Sequence, residues 1–127
     1  MATVVLCSQL PVLRRNLLNS LEANGHVGLE VDGSIALVSL CLKRKVDLIV
    51  IDSELDYLSA PNTIRCLRVT KGYETLPIVA LGHTIMQLHE AMAAGANRAI
   101  AKPIETSALM QVVDLLVPRA RAFSHLR

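Results

Sequence analysis

Aromatic residues are nearly missing from this chain of 127 residues: Tyr57, Tyr73 and Phe123 are present, and tryptophan is absent. That scarcity removes the stacking platforms on which single-stranded nucleic acid is bound. The formal charge of +2 adds no electrostatic case for nucleic acid. Cysteine is also scarce. Cys7, Cys41 and Cys66 are odd in number, widely spaced and without a CxxC or Cys/His metal pattern. They read as reduced thiols of a cytoplasmic protein, not as a disulfide framework. No apolar run reaches membrane-spanning length before a charge interrupts it, which argues against a membrane partner. Residues 1–7 carry no basic leader and enter a strand pattern at once.

What is present is an aliphatic core. The sequence is 52% hydrophobic, so Leu, Val, Ile and Ala must fill the interior. That composition suits helices packed on a buried parallel sheet. The length is that of one domain.

Strand and helix patterns alternate along it. Thr3–Cys7 is a β-branched run, and Pro11 then stands at a first helical position with Ser8 or Gln9 near the cap. Leu13, Leu17 and Leu21 mark one helix face, stopped by Asn24-Gly25. Val27–Val31 is a second strand, Asp32-Gly33 a turn, and Ser34 a cap for a helix over Ile35–Lys45. That second helix carries more apolar residues than one buried stripe needs, which points to a covered outer face. Its basic end, Lys43-Arg44-Lys45, suits a helix C-terminus and, like Arg14-Arg15, reads as solvated. Asp47–Ile51 is a fully buried central strand. Residues 52–61 form a loop, and Asn62–Lys71 a helix with Ile64, Leu67 and Arg68 on its buried side. Pro77–Leu81, Ile85–Ala94 and Arg98–Ala101 continue the alternation, with Gly95 ending the fourth helix. Leu109, Val112, Val113 and Leu116 give the cleanest amphipathic helix. Pro118 is expected to close it. Domain 1–117 is then followed by a basic tail or linker start, 118–127, with Arg119, Arg121 and Arg127. His26, His89 and His125 fall on turns or exposed faces. Five strands alternating with five helices define an α/β, doubly wound parallel sheet.

In such sheets ligands bind beyond the carboxyl ends of the strands. Asp52 ends the Leu48–Ile51 run, and Lys102 ends Ala99-Ile100-Ala101 just before Pro103. An acid and an amine converging there suggest a phosphate-handling pocket. The neighbouring strand ends carry Cys7-Ser8 and Gly82-His83.

With these residues in place the chain resembles the receiver domain of bacterial two-component response regulators, over roughly residues 3–117. The resemblance implies a flavodoxin-like sheet of strand order 2-1-3-4-5, with Asp52 as phosphate acceptor and Lys102-Pro103 as the family's Lys-Pro pair, its peptide cis. The Pro77–Leu81 strand and the Ala94-Gly95-Ala96-Asn97 turn fit the same pattern. It also implies protein partners: a histidine kinase, an output domain or another domain of the same chain, with homodimers among the arrangements the family uses.

The departures fall on the chemistry. The family's acidic pair after the first strand, which holds Mg²⁺ with the acceptor, is Cys7 and Ser8 here. Magnesium wants hard oxygen ligands, which a thiol and a hydroxyl replace poorly. The hydroxyl that bonds the phosphoryl group at the fourth strand's end is replaced by Gly82. The aromatic that flips inward from the fifth strand is Ala99, and the proline after the acceptor is Asp56. The leading expectation is a non-catalytic pseudo-receiver that acts through protein or intramolecular domain contact, without a cofactor. A surface near Met86, Ala93, Ala99 and Met110 would make those contacts. Asp52 would then be a vestigial carboxylate paired with Lys102. One alternative is a working receiver phosphorylated on Asp52 with Mg²⁺ in a weakened site. A second is a small-molecule sensor using the emptied pocket. A third sets Cys7 beside His83 and Asp52 as nucleophile and base.

Overall fold

The computed structural model describes the backbone of residues 1–125 and the side chains of residues 1–117. The chain runs β1 (Thr3–Cys7), α1 (Pro11–Ala23), β2 (Val27–Val31), α2 (Ser34–Lys43), β3 (Leu48–Asp52), α3 (Ala60–Arg68), β4 (Ile78–Gly82), α4 (Ile85–Ala94), β5 (Arg98–Ala101) and α5 (Thr106–His125). The sheet is parallel throughout, in the order β2-β1-β3-β4-β5. It is the doubly wound, flavodoxin-like arrangement expected.

Period-two alternation sorts the strands' side chains onto two faces. Val4, Leu6, Leu48, Val50, Val79 and Leu81 point to one side, where Leu17 and Leu21 of α1 and Leu109, Val113 and Leu116 of α5 close a core. Val5, Ile49, Ile51, Ile78 and Ala80 point to the other, against Leu37 and Cys41 of α2, Ile64 and Leu67 of α3, and Ala91 and Ala94 of α4. Every residue of β3 and β4 is buried. Two aliphatic layers thus account for a core almost without aromatics. Each such buried Leu or Ile contributes about 2–5 kcal/mol against truncation to Ala.

Several boundaries differ from the sequence expectation, each for a local reason. β3 starts at Leu48 because Asp47 is used otherwise. Its Oδ2 accepts the Thr3 amide at 2.8 Å, and its own amide donates to the Thr3 carbonyl at 2.8 Å. α3 starts at Ala60, two residues early, since Ser59 caps it and accepts the Asn62 amide at 3.3 Å. Pro61 is therefore inside the first turn, where its missing N–H costs nothing. α2 is shorter than expected: it ends at Lys43, and Arg44 is already extended. Its N-cap is Gly33, not Ser34. The Ser34 hydroxyl instead donates to the Leu58 carbonyl at 3.0 Å and lies 2.7 Å from the Thr63 hydroxyl. The N-cap of α1 is Leu10, with no side-chain cap of its own; the Ser8 hydroxyl accepts the Leu10 amide at 3.1 Å. α1 ends before Asn24-Gly25 as expected, with Gly25 at φ +83°.

α5 does not stop at Pro118 but runs on to His125. A proline removes one helix hydrogen bond and crowds one carbonyl; it does not by itself end a helix. The side chains of the expected basic tail, 118–127, lie outside the described residues. Among the described residues no helix is long and apolar enough to cross a membrane.

A half-buried arginine fastens one face. Arg68, at the end of α3, donates to the carbonyls of Tyr73, Leu76 and Gly95 and to Asn97 Oδ1, at 2.7–3.0 Å. Asn97 Oδ1 also accepts the Ile78 amide at 2.8 Å. Gly95 has φ +122°, and a Cβ there would meet Arg68 Cγ at 2.9 Å, so this helix end requires glycine on two counts. Burial pulls the Arg68 guanidinium down from its usual value, and its neutral acceptors offer no countercharge.

Candidate functional site

Parallel register brings the chemistry to one edge. Cys7 is level with Ile51, and Asp52 with Leu81. The Lys102 amide bonds the Gly82 carbonyl at 2.8 Å, extending the ladder beyond β5. Asp52, Ser8, Gly82 and Lys102 therefore collect where β1, β3, β4 and β5 stop. The Lys102-Pro103 peptide is cis, as the resemblance implied.

Asp52 is fully buried, at 0% exposure. Its Oδ1 lies 2.8 Å from Lys102 Nζ, whose side chain is 7% exposed. Its Oδ2 accepts the Ser8 hydroxyl at 3.0 Å. The Glu54 amide reaches Oδ1 at 3.5 Å, the outer limit of a hydrogen bond. The Lys102 contact is charge against charge at an unfavourable angle: Nζ is buried, and among the described residues no acceptor stands in hydrogen-bonding geometry to it.

The site is closed from the β4 side as well. A Cβ built on Gly82 would lie 3.1 Å from Gln87 Cβ, 3.1 Å from the Ser53 hydroxyl and 3.3 Å from Leu88 Cδ2. A serine or threonine there would fit only if these neighbours gave by a few tenths of an ångström. His83 turns outward, its Nε2 3.2 Å from Glu54 Oε1 with both side chains about half exposed. The His83 amide donates to Gln87 Oε1 at 2.7 Å. Ala99 is half-buried and lines an open cavity of about 500 Å³ with Leu88, His89, Met92, Asn97 and Arg98.

The proposed meeting of Cys7 with His83 does not occur. Cys7 packs into the core on the α2 side of the sheet, while the His83 ring faces Glu54. Burial, then the charges of Asp52 and Asp32, push the Cys7 thiol up to about 12. A thiol held protonated is no nucleophile. The register also moves the first-strand position: Ser8, not Cys7, stands beside Asp52.

Met110, expected on the contact surface, is 6% exposed and belongs to the α1/α5 core. On α5 it is the residue after Leu109, and both turn inward. Met86 and Ala93 are exposed, as expected for a surface, and Ile85 and Met92 join them on α4.

His26, expected on a turn or exposed face, is largely buried instead: its Nδ1 accepts the Ala2 amide at 3.3 Å, and its Nε2 lies 3.1 Å from Asp114 Oδ1 on α5. Nothing in a Gly-His-Val turn announces that partner, 88 residues away. Tyr73 donates its hydroxyl to the Cys41 carbonyl, and burial raises its pKa, helped by the nearby Cys41. Tyr57 adopts φ +64° and stands in solvent.

The donor set suits a hard divalent cation poorly. The site offers one carboxylate, faced by an ammonium and a hydroxyl, where such ions want several oxygen ligands. Among the described residues no group of three or more His, Cys, Asp or Glu side chains is spaced to hold a metal.

The family model of the response regulator receiver domain matches residues 4–114. The chain belongs to the response regulator receiver domain family. A putative response regulator from Chloroflexus aurantiacus superposes with a TM-score of 0.89 at 21% identity, covering 92% of this chain and 98% of that one. The receiver domain of a signal transduction histidine kinase from Syntrophus aciditrophicus gives 0.87 at 20% identity, covering 93% and 91%. The receiver domain of the sensor histidine kinase PA1611 from Pseudomonas aeruginosa, with magnesium coordinated in its active-site cleft, gives 0.85 at 23% identity, covering 92% and 98%. At these identities the structures attest the shared fold. Among curated proteins none matches this sequence.

Proposed function

We propose that this receiver domain is a pseudo-receiver: a non-catalytic signalling module that works by contact, without Mg²⁺-dependent phosphorylation. The supporting observation is the state of Asp52. It is wholly buried, with one oxygen against Lys102 and the other bonded by Ser8. Acyl-phosphate formation needs an accessible carboxylate and a cation to neutralise the transferring phosphoryl group. Here the second carboxylate is a serine, and Gly82 carries no hydroxyl to bond a phosphoryl group.

Receiver domains interact with histidine kinases or output domains. For this chain the supported contact face is α4 with β5. Ile85, Met86, Met92 and Ala93 are exposed there beside the cavity next to Ala99. An exposed methionine-bearing face adapts readily to a partner. The partner would be another protein, a second copy or a further domain of the same chain. A cytoplasmic setting agrees with three free cysteines.

The retained Asp52–Lys102 contact at 2.8 Å favours a second reading, a working receiver phosphorylated on Asp52. Incubation with acetyl phosphate and Mg²⁺, followed by intact mass, separates the two. The pseudo-receiver gains no mass. A stoichiometric gain of one phosphoryl group, lost in Asp52→Ala, overturns it.

A further inference from the structure

The loop after β3 carries a tip that is unfavourable by itself. Tyr57 holds a left-handed backbone at φ +64°, a conformation bulky residues avoid. It is also 99% exposed, in a chain with only three aromatic residues. The base of this loop is fastened: Leu58 and Ser59 carbonyls accept the hydroxyls of Ser34 and Thr63 at 3.0 and 2.8 Å. The tip is thus presented by a fixed support. Ile35, in the first turn of α2, is 76% exposed. Tyr57 and Ile35 line one cavity of about 200 Å³ together with Asp32 and Asp56. Among the described residues no basic side chain lines it and neither aspartate makes an ion pair.

We propose that this cavity docks an arginine-bearing segment of a protein partner. Two carboxylates, with the Tyr57 ring standing in solvent at the cavity's rim and Ile35 exposed beside it, match one side chain well. A guanidinium bonds carboxylates in a planar fork and stacks on an aromatic face. An aliphatic neighbour of that arginine fits Ile35. Lysine offers only a point charge and no stacking plane. Tyrosine suits the anchor role, since it adds large contact area at little entropic cost. The surface shares no residue with the α4 face and does not depend on whether Asp52 is phosphorylated.

The test is a titration of the ¹⁵N-labelled chain with a short blocked peptide of alternating arginine and leucine, with a glutamate–leucine peptide of equal length as control. Amide shifts centred on Asp32, Ile35, Asp56 and Tyr57 are expected with the arginine peptide alone. Asp56→Asn and Tyr57→Gly should each weaken binding about tenfold, while Tyr57→Gly raises the melting temperature by relieving the backbone. Shifts centred elsewhere, equal shifts with the glutamate peptide, or affinity unchanged in both variants would overturn the proposal. So would concentration-dependent shifts at these amides without peptide, which would assign the surface to a second copy.

Discussion

The Ser8 hydroxyl bonds the buried Asp52 Oδ2 at 3.0 Å. It accepts the Leu10 amide at the same time, so one side chain ties the acceptor position to the start of α1. In this position a neutral donor satisfies the carboxylate that a second acid would repel.

Ser8→Asp would set two carboxylates against each other with one ammonium between them. The variant should lose stability by about 2 kcal/mol or more without metal, from burying an unmatched charge. Millimolar Mg²⁺ should restore much of that loss, because a ligand bound only by the folded state stabilises it. Melting curves with and without the ion check both parts, with the unsubstituted chain expected to be indifferent to Mg²⁺.

Asp52 and Lys102 are worth more together than apart. Asp52→Asn leaves a buried ammonium uncompensated and should cost roughly 3–5 kcal/mol. Asp52→Asn combined with Lys102→Met should cost far less than the sum of the single changes, since the orphaned charge is gone. Urea unfolding of the four proteins in a double-mutant cycle measures the difference.

Arg68→Ala would strip donors from three carbonyls and from Asn97 Oδ1 in a half-buried setting. Asn97 Oδ1 keeps the Ile78 amide and the Tyr73 carbonyl keeps the Leu76 amide, so the loss falls on the Leu76 and Gly95 carbonyls, at about 1–3 kcal/mol for each one left unsatisfied. Arg68→Lys should recover little, because one ammonium cannot span acceptors arranged around a planar fork. Chemical denaturation would read both effects.

The thiols give a pH dependence of known sign. Cys7 is raised from an ordinary 9.0 to about 12, chiefly by burial. Between those values the unfolded chain has lost a proton that the folded chain keeps. Stability therefore falls as pH rises from about 9 to about 12, and is unaffected by this group below that window. Cys41 is shifted upward by burial and acts in the same direction. Urea midpoints across this range, compared with Cys7→Ala, isolate the contribution. At pH 8 iodoacetamide should modify exposed Cys66 quickly and spare buried Cys7 and Cys41.

Local chemistry made much of the fold readable. Thr3–Cys7, Val27–Val31, Ile85–Ala94 and Arg98–Ala101 form with the bounds their patterns imply; a β-branched run specifies the first and a Thr84 capping box starts the helix. Failures arose where a distant group decided. Asp47 left the strand to serve Thr3, and Met110 followed Leu109 inward. His26 found Asp114 across the fold. The Asp52–Lys102 contact was legible because both stand at strand ends, which the topology must bring to one edge. The Ser8 bond to Asp52 depended on register, which a single sequence does not display. Tyr57 carries no local signal for its positive φ or its exposure, and bulky residues ordinarily avoid that conformation.

The crowding around Gly82 also bears on how such a domain can change. A lone substitution that placed threonine there would bring its Cβ to 3.1–3.3 Å from Gln87, Ser53 and Leu88, so those side chains would have to give by a few tenths of an ångström. Such a change would register first as a shift in how the top of α4 sits against the sheet, and only afterwards as new chemistry.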